Sequence, residues 1–331
     1  MNDYNVYGVG NAMVDTEYEV NDEFLQRLSV SKGIMSLIDD DRKAALISEL
    51  DNQFTLKNRT GGGSAANTMV AVCQFGGTAF YSCRVGDDDV GDFFRSDLDR
   101  IGVHSNLGSK RNAGITGQCL VMITPDAERS MNTCLGISGD LASTDLLPDA
   151  IRSSDYLYLE GYLASSETAR EVALEAREIA RKAGVKVSLT LSDPAMVSGF
   201  RDVFEQFTAG GVDLIFCNRE EALIWSNRDS LDAATEELKK SARTFVITLG
   251  AEGALVYDGH DCCTIESYPI TAIDSNGAGD MFAGAFLYGL THGHSYANAA
   301  DLANRSAAHL VSQFGARLQR EEQQQLMQAG K

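Results

Sequence analysis

From about residue 151 onward, short apolar runs alternate with amphipathic segments, a rhythm that suits parallel strands joined by helices and few other folds. Residues 156–159 read as a strand. Residues 166–183 read as a helix, because Ser and Glu open the segment and Gly184 stops it, and the β-rich stretch 185–191 follows. Further strands are expected at 213–217 and 244–248, with helices at 220–225 and 230–242. The expected fold class is α/β with a doubly wound, mostly parallel sheet. Such sheets bind ligands beyond the carboxyl ends of their strands, which directs attention to Glu160, Gly161, Tyr162, Ser192, Asp193, Asn218 and Gly250.

The first third follows a different pattern. Residues 15–20, 33–38, 117–124 and 128–134 read as strands with little helix between the members of each pair. They predict a small β lid inserted in two pieces, 15–38 and 111–134. The remainder, 1–14, 39–110 and 135–331, then forms a large α/β domain that binds nucleotide and substrate. Residues 54–60 are too polar to read as a hydrophobic strand.

Composition removes several classes of function. A formal net charge of −19 repels a phosphate backbone, so nucleic acid is not an expected partner. ATP remains compatible, because a few backbone amides and one Mg²⁺ create a positive pocket on an acidic protein. The first ten residues lack the basic and apolar segments of a signal peptide, and no run reaches about 18 apolar residues, so the expected location is cytoplasmic, away from membranes. The seven cysteines are odd in number and show no CxxC pair, which argues for reduced, mostly buried thiols over disulfides or zinc; the adjacent Cys262 and Cys263 could be redox-active but are read first in the same way. A β-rich lid could cap its own site in a monomer or pair edge strands in a homodimer.

The sharpest motif is Asp274-Ser275-Asn276-Gly277-Ala278-Gly279-Asp280, which runs directly into the apolar stretch 281–287. An apolar run of this kind is a buried helix, and the Gly-Ala-Gly before it lets backbone amides turn toward a ligand. The orphan N–H groups and the positive end of the helix dipole make an anion hole for a transferred phosphoryl group. Asp280 at its mouth could accept a proton from an attacking hydroxyl. An isolated Asp before a helix reads first as an N-cap, however, so Asp280 alone is only suggestive.

A second cluster, Gly61-Gly62-Gly63-Ser64-Ala65-Ala66-Asn67, opens a helix expected over 65–75 and closed by Gly76-Gly77. Its glycines let a polar ligand approach the backbone, and Asn67 offers a hydroxyl both a donor and an acceptor. Gly61-x-Gly63-x-x-Ala66 also matches a dinucleotide fingerprint, but no hydrophobic strand precedes it, and Gly8-x-Gly10 has Met13 in place of a third glycine. A GxxxxGK[ST] phosphate loop is absent from the sequence.

Four motifs occur in order: Gly62-Gly63-x-x-x-Asn67 followed by Gly86-Asp87, Asn218-x-x-Glu221, Thr248-Leu249-Gly250-Ala251-x-Gly253, and Asp274-x-x-Gly277-Ala278-Gly279-Asp280. The combination resembles the ribokinase-like (PfkB-type) sugar and nucleoside kinases over nearly the whole length. Within that family, Gly8-x-Gly10-Asn11-Ala12-x-x-Asp15, Thr116-Gly117-x-Cys119 with Glu128-Arg129-Ser130, and Asp274-Ser275-Asn276-Gly277 are most similar to the adenosine kinases. The resemblance implies a three-layer α/β/α ribokinase-like fold with a small β lid. It also implies transfer of the ATP γ-phosphoryl, with Mg²⁺, to the 5′-hydroxyl of a nucleoside such as adenosine.

By the same resemblance, Asp280 is the catalytic base and Gly277, Ala278 and Gly279 form the anion hole. Asn11, Asp15, Gly62, Gly63 and Asn67 would hold ribose hydroxyls, Arg129 would reach the transferring phosphate, and Tyr162 would stack on the base. Asn218 and Glu221 would serve the Mg²⁺ and phosphate region, Glu221 through water. Thr248, Gly250 and Gly253 would hold ATP, and Asn304 would line the adenine pocket. Asp274 and Ser275 could give oxygens to a monovalent cation such as K⁺. Local alternatives stand beside these roles: Asp15 as a strand-edge acid, Tyr162 as a rim residue, Asn218 with Glu221 as a capping box. The competing functions are a sugar kinase for ribose, fructose or 2-keto-3-deoxygluconate, a non-catalytic nucleoside-binding protein, and a nicotinamide-dependent oxidoreductase. A panel of nucleosides and sugars separates the first two, and stabilisation by NAD or by ATP tests the last.

Overall fold

The computed structural model describes residues 2–108, 112–126 and 128–328. Among these, nine strands form a central sheet in the order Cys262–Ile265, Ala254–Tyr257, Ala242–Thr248, Val212–Asn218, Lys186–Thr190, Ser154–Glu160, Tyr4–Val9, Ala79–Ser82, His104–Ser105. All pairings are parallel except the two made by Ala254–Tyr257. Alternate residues of one strand enter opposite cores, as the period of two requires. Tyr156 and Tyr158 pack with Met69, Phe282 and Phe286 of helices Ser64–Phe75 and Ala278–Thr291. Leu157 and Leu159 pack with Val172, Ala176 and Phe204 of helices Glu167–Ala183 and Arg201–Thr208. Helices therefore cover both faces of the doubly wound sheet expected from the alternating pattern, in the three-layer α/β/α arrangement that the resemblance implies.

Local signals set most boundaries. Ser166 caps Glu167–Ala183 by accepting from the amide of Ala169, and Gly184 closes it in the left-handed conformation. The helix expected over 230–242 is shorter, Leu231–Leu238, because Ala242 already belongs to a strand paired with Val212. Its polar turn, Lys239 to Ser241, had masked the change from helix to strand.

A second sheet has the order Met35–Leu37, Arg129–Cys134, Gly117–Ile123, Met13–Glu19, Leu56–Gly62. Its last strand corrects the reading of 54–60: Leu56–Gly62 pairs antiparallel with Met13–Glu19, so three stretches of chain build the sheet, not two. The strand is polar because it lies at an edge, where charged side chains discourage pairing with other chains. A strand does precede the Gly-rich cluster, but in the small sheet and not the parallel one, which removes the dinucleotide-fold reading. Tyr18, Leu120 and Met122 pack with Phe24 and Leu25 of helix Asp22–Arg27 and with Leu46 and Leu50 of helix Asp40–Gln53. Asp15 and Glu17 alternate with these inward residues and so lie on the other face of their strand.

Candidate active site

The helix Ala278–Thr291 starts from Gly277, whose φ of 73° is left-handed and whose Cβ, if present, would lie 2.6 Å from the carbonyl oxygen of Ala316. The amides of Gly279 and Asp280 find no acceptor among the described residues, and Gly279 faces open space. This leaves orphan donors at the positive end of a 14-residue helix, as an anion hole needs.

Asp280 occupies the third helical position and is not the N-cap; that place belongs to Gly277. Its carboxylate turns away from the helix backbone. Oδ1 accepts from the hydroxyl of Ser64 at 2.6 Å and Oδ2 from Nδ2 of Asn67 at 2.9 Å. Burial raises the pKa of Asp280, while the two hydrogen bonds and the nearby charge of Arg317 act in the opposite direction.

Ser64 and Asn67 lie on the first turn of helix Ser64–Phe75, whose N-cap is Gly63 at φ 96°. A Cβ on Gly63 would stand 2.2 Å from the carbonyl oxygen of Asn11, so only glycine lets these two segments meet. Glu160, at the end of its strand, clamps them together by accepting from the amides of Asn11 at 2.7 Å and Ala65 at 2.8 Å. Glu160 is fully enclosed, and burial pushes its pKa up to about 7 despite those two bonds. Oδ1 of Asn11 is buried without a partner among the described residues. Asp15 lies against Gly62, its oxygens 3.0 Å from where a Cβ would sit. No hydrogen bond reaches the Asp15 carboxylate among the described residues, and burial pushes its pKa up to about 6 although Arg317 draws it down. Two unsatisfied acceptors beside Asn67 and Asp280 suit a ligand rich in hydroxyl donors.

Arg317 joins the site from the segment before the last described helix. Its Nε donates to Oδ1 of Asn67 at 2.7 Å and its Nη1 to Asp97 at 2.6 Å. Arg129, on the small sheet, pairs with Glu17 and with Asp274. Asp274 also accepts from the amides of Asn276 at 3.1 Å and Gly315 at 3.0 Å, so its oxygens are already engaged, and Ser275 is exposed.

On the nucleotide side, Asn218 and Glu221 form a reciprocal capping box: Asn218 Oδ1 accepts from the amide of Glu221 at 2.8 Å, and the Glu221 carboxylate accepts from the Asn218 amide at 3.0 Å. Asn218 Nδ2 adds a third bond at 2.7 Å, and burial pushes Glu221 up to about 7. Thr248 ends its strand, and Gly250 and Gly253 follow with φ of 61° and 96°. Asn304 spends its amide hydrogens on the carbonyls of Ile265 and Glu266, fastening the chain after the edge strand. Tyr162 is partly buried, its hydroxyl donates to the carbonyl of Ser192 at 3.5 Å, and burial, with the charges of Asp193, Asp280, Glu160 and Glu221, raises its pKa.

Sequence reasoning did not identify Ser64, Asp97 or Arg317, and it marked Glu160 only as a strand-end position. Nothing in their local patterns separates them from surface polar residues; only the burial of acid and base together marks them. Cys262 and Cys263 are exposed on the edge strand, which corrects the buried reading for that pair, while the other five cysteines are buried. Among the described residues no cluster of three or more His, Cys, Asp or Glu side chains is arranged to hold a metal, and no helix is long and apolar enough to cross a membrane.

Comparison with known proteins agrees with this geometry. Residues 28–323 match the pfkB family of carbohydrate kinases. A crystal structure of a probable sugar kinase from Rhizobium etli superposes with a TM-score of 0.89 at 34% identity, covering 100% of this chain and 99% of that one. Adenosine kinase from Sinorhizobium meliloti does so at 0.88 and 34%, covering 98% and 99%. Adenosine kinase from Saccharomyces cerevisiae is 26% identical over 327 residues, 93% of this chain and 94% of its own. The chain belongs to the pfkB family of carbohydrate kinases. It is an ATP-dependent phosphotransferase, a nucleoside or sugar kinase with the ribokinase-like fold.

Proposed function

We propose that the protein transfers the γ-phosphoryl of ATP to the 5′-hydroxyl of a nucleoside, adenosine foremost, giving AMP and ADP. One observation carries the reading: a partly buried carboxylate, Asp280, stands beside unengaged helix amides and is held by Asn67 from the Gly-rich helix. Asp280 takes the hydroxyl proton as the oxygen attacks phosphorus and the bond to the ADP oxygen breaks, and the free amides of Gly279 and Asp280, with that of Gly277, bear the charge of the moving group, while the Ala278 amide is held by the Ser275 carbonyl at 3.2 Å. Burial favours this base, because a raised pKa brings the carboxylate nearer the operating pH. Asn11, Asp15, Gly62, Gly63 and Asn67 hold the sugar hydroxyls, Tyr162 offers a flat face to a base, and Arg129, paired with Glu17 and Asp274 in this conformation, would reach the transferring phosphate by exchanging a carboxylate for it. Asn218, Glu221, Thr248, Gly250, Gly253 and Asn304 frame the nucleotide.

Mg²⁺ when bound supplies charge neutralisation on the phosphates, and Glu221 would hold it through water. A single buried carboxylate fits an ion that keeps several waters and takes its other ligands from phosphate. The small sheet acts as a lid, and the Arg129 pairs to Glu17 and Asp274 tie it to the anion-hole loop. The three contacts already made by Asp274 argue against its serving a monovalent cation in this conformation.

A sugar acceptor is the second reading, supported by the equal likeness to the Rhizobium etli probable sugar kinase. ADP release from a panel of nucleosides and sugars at fixed ATP decides between them. Preferential turnover of adenosine is expected. Turnover confined to ribose or fructose would replace the nucleoside reading, and no turnover with any acceptor would end it.

A further inference from the structure

We propose that Arg317, anchored by Asp97, is a positioning residue that locks the side-chain amide of Asn67 in the one orientation that serves Asp280. Four side chains from four separate segments form a single file: Asp97, Arg317, Asn67, Asp280. Their polarity is forced by chemistry. The Nε–H of Arg317 can only donate, and the Asp280 carboxylate can only accept. Asn67 must therefore turn Oδ1 to Arg317, at 2.7 Å, and Nδ2 to Asp280, at 2.9 Å. A reversed amide would set donor against donor at one end and acceptor against acceptor at the other.

The anchor is equally defined. Asp97 accepts from Nη1 of Arg317, and the two side chains are 11% and 12% exposed, so water screens the pair little. Asp97 lies on helix Asp89–Ile101, and Arg317 precedes the helix Arg320–Gln328; neither element supplies any other residue of the proposed site. A cation held there also lies near Asp15 and Asp280, two partly buried acids that would otherwise repel one another. The arrangement repeats the logic of an acid orienting a base through an intermediate side chain, with an amide in the middle place.

This inference rests on Asp280 being the base, so the wild-type chain is assayed first with ATP and the nucleoside and sugar panel. Absence of transfer to every acceptor sinks the functional reading itself. With an active wild type, kcat and both KM values are compared for R317M, N67A and the double variant. R317M is expected to lower kcat about 10- to 100-fold with the KM for ATP unchanged. In the N67A background the same change is expected to cost no more than about threefold, because residues acting as one unit are not additive. R317K, which keeps a donor and a charge, is expected to recover part of kcat. Full activity of R317M, or a loss that multiplies with that of N67A, overturns the proposal. If R317M shows no cooperative melt, D97N, which loosens the anchor of Arg317, is judged alone and with N67A by the same criterion.

Discussion

Asn67 and Asp280 meet at 2.9 Å although 213 residues separate them in the chain. Each lies in the first turn of its own helix, and the two helices pack side by side on one face of the central sheet. The proposed base is therefore oriented by the same glycine-opened helix that is expected to hold the acceptor.

Replacement of Asp280 by Asn tests the base directly. The substitution keeps the shape and removes the proton acceptor, so kcat is expected to fall at least about 10²-fold while ATP still raises the melting temperature. Turnover within a few-fold of wild type would remove Asp280 from that role.

Ser64→Ala reports on the pKa of Asp280. The Ser64 hydroxyl favours the charged carboxylate, so its loss raises the pKa further above the ordinary range. The acid limb of the kcat/KM profile should move to higher pH, with a larger loss at pH about 6 than at pH about 8.5. A profile that merely scales down at all pH values would show that Ser64 does not tune the base.

Asp15→Asn should separate stability from function. The folded pKa of Asp15 rises from 3.8 to about 6, so the folded chain holds this proton more tightly than the unfolded one. The stability contributed by the group is present below pH about 4 and lost as pH rises through about 6. In the ligand-free protein the Asn variant is expected to be more stable at pH about 7.5, by roughly 1–3 kcal/mol, and to show a flatter decline between pH 4 and 6. Its KM for the acceptor should rise at least about tenfold, because the amide presents an NH2 donor where the second carboxylate oxygen would accept a hydroxyl hydrogen. Urea melts across pH, paired with acceptor titrations, check both halves.

Gly63→Ala places a Cβ 2.2 Å from the Asn11 carbonyl at a φ of 96°. A cost of roughly 2–4 kcal/mol is expected in chemical denaturation, with the acceptor KM raised as Asn11 is displaced. Wild-type stability would mean that the two segments can separate freely.

The alternation of apolar runs with amphipathic helices made four neighbouring strands of the central sheet legible, those at 154–160, 186–190, 212–218 and 242–248, because a strand buried on both faces must be apolar along its length. The same local logic made the Gly-x-Gly-Asp helix start and the Asn218–Glu221 capping box legible, since each is a contact among near neighbours. Leu56–Gly62 escaped it because an edge strand is chosen by its ladder partner, Met13–Glu19, and its exposed side chains follow solvent instead of a core. Glu160, Asp97 and Arg317 escaped it for a related reason. Their importance comes from being buried beside one another and beside Asn11, Asn67 and Asp280, and burial of a charge is a property of the packed molecule. The sequence by itself determined the layers of this protein and the helix ends that could meet a phosphate. Only the tertiary structure decided which polar side chains would be desolvated together, and so which of them could orient a base.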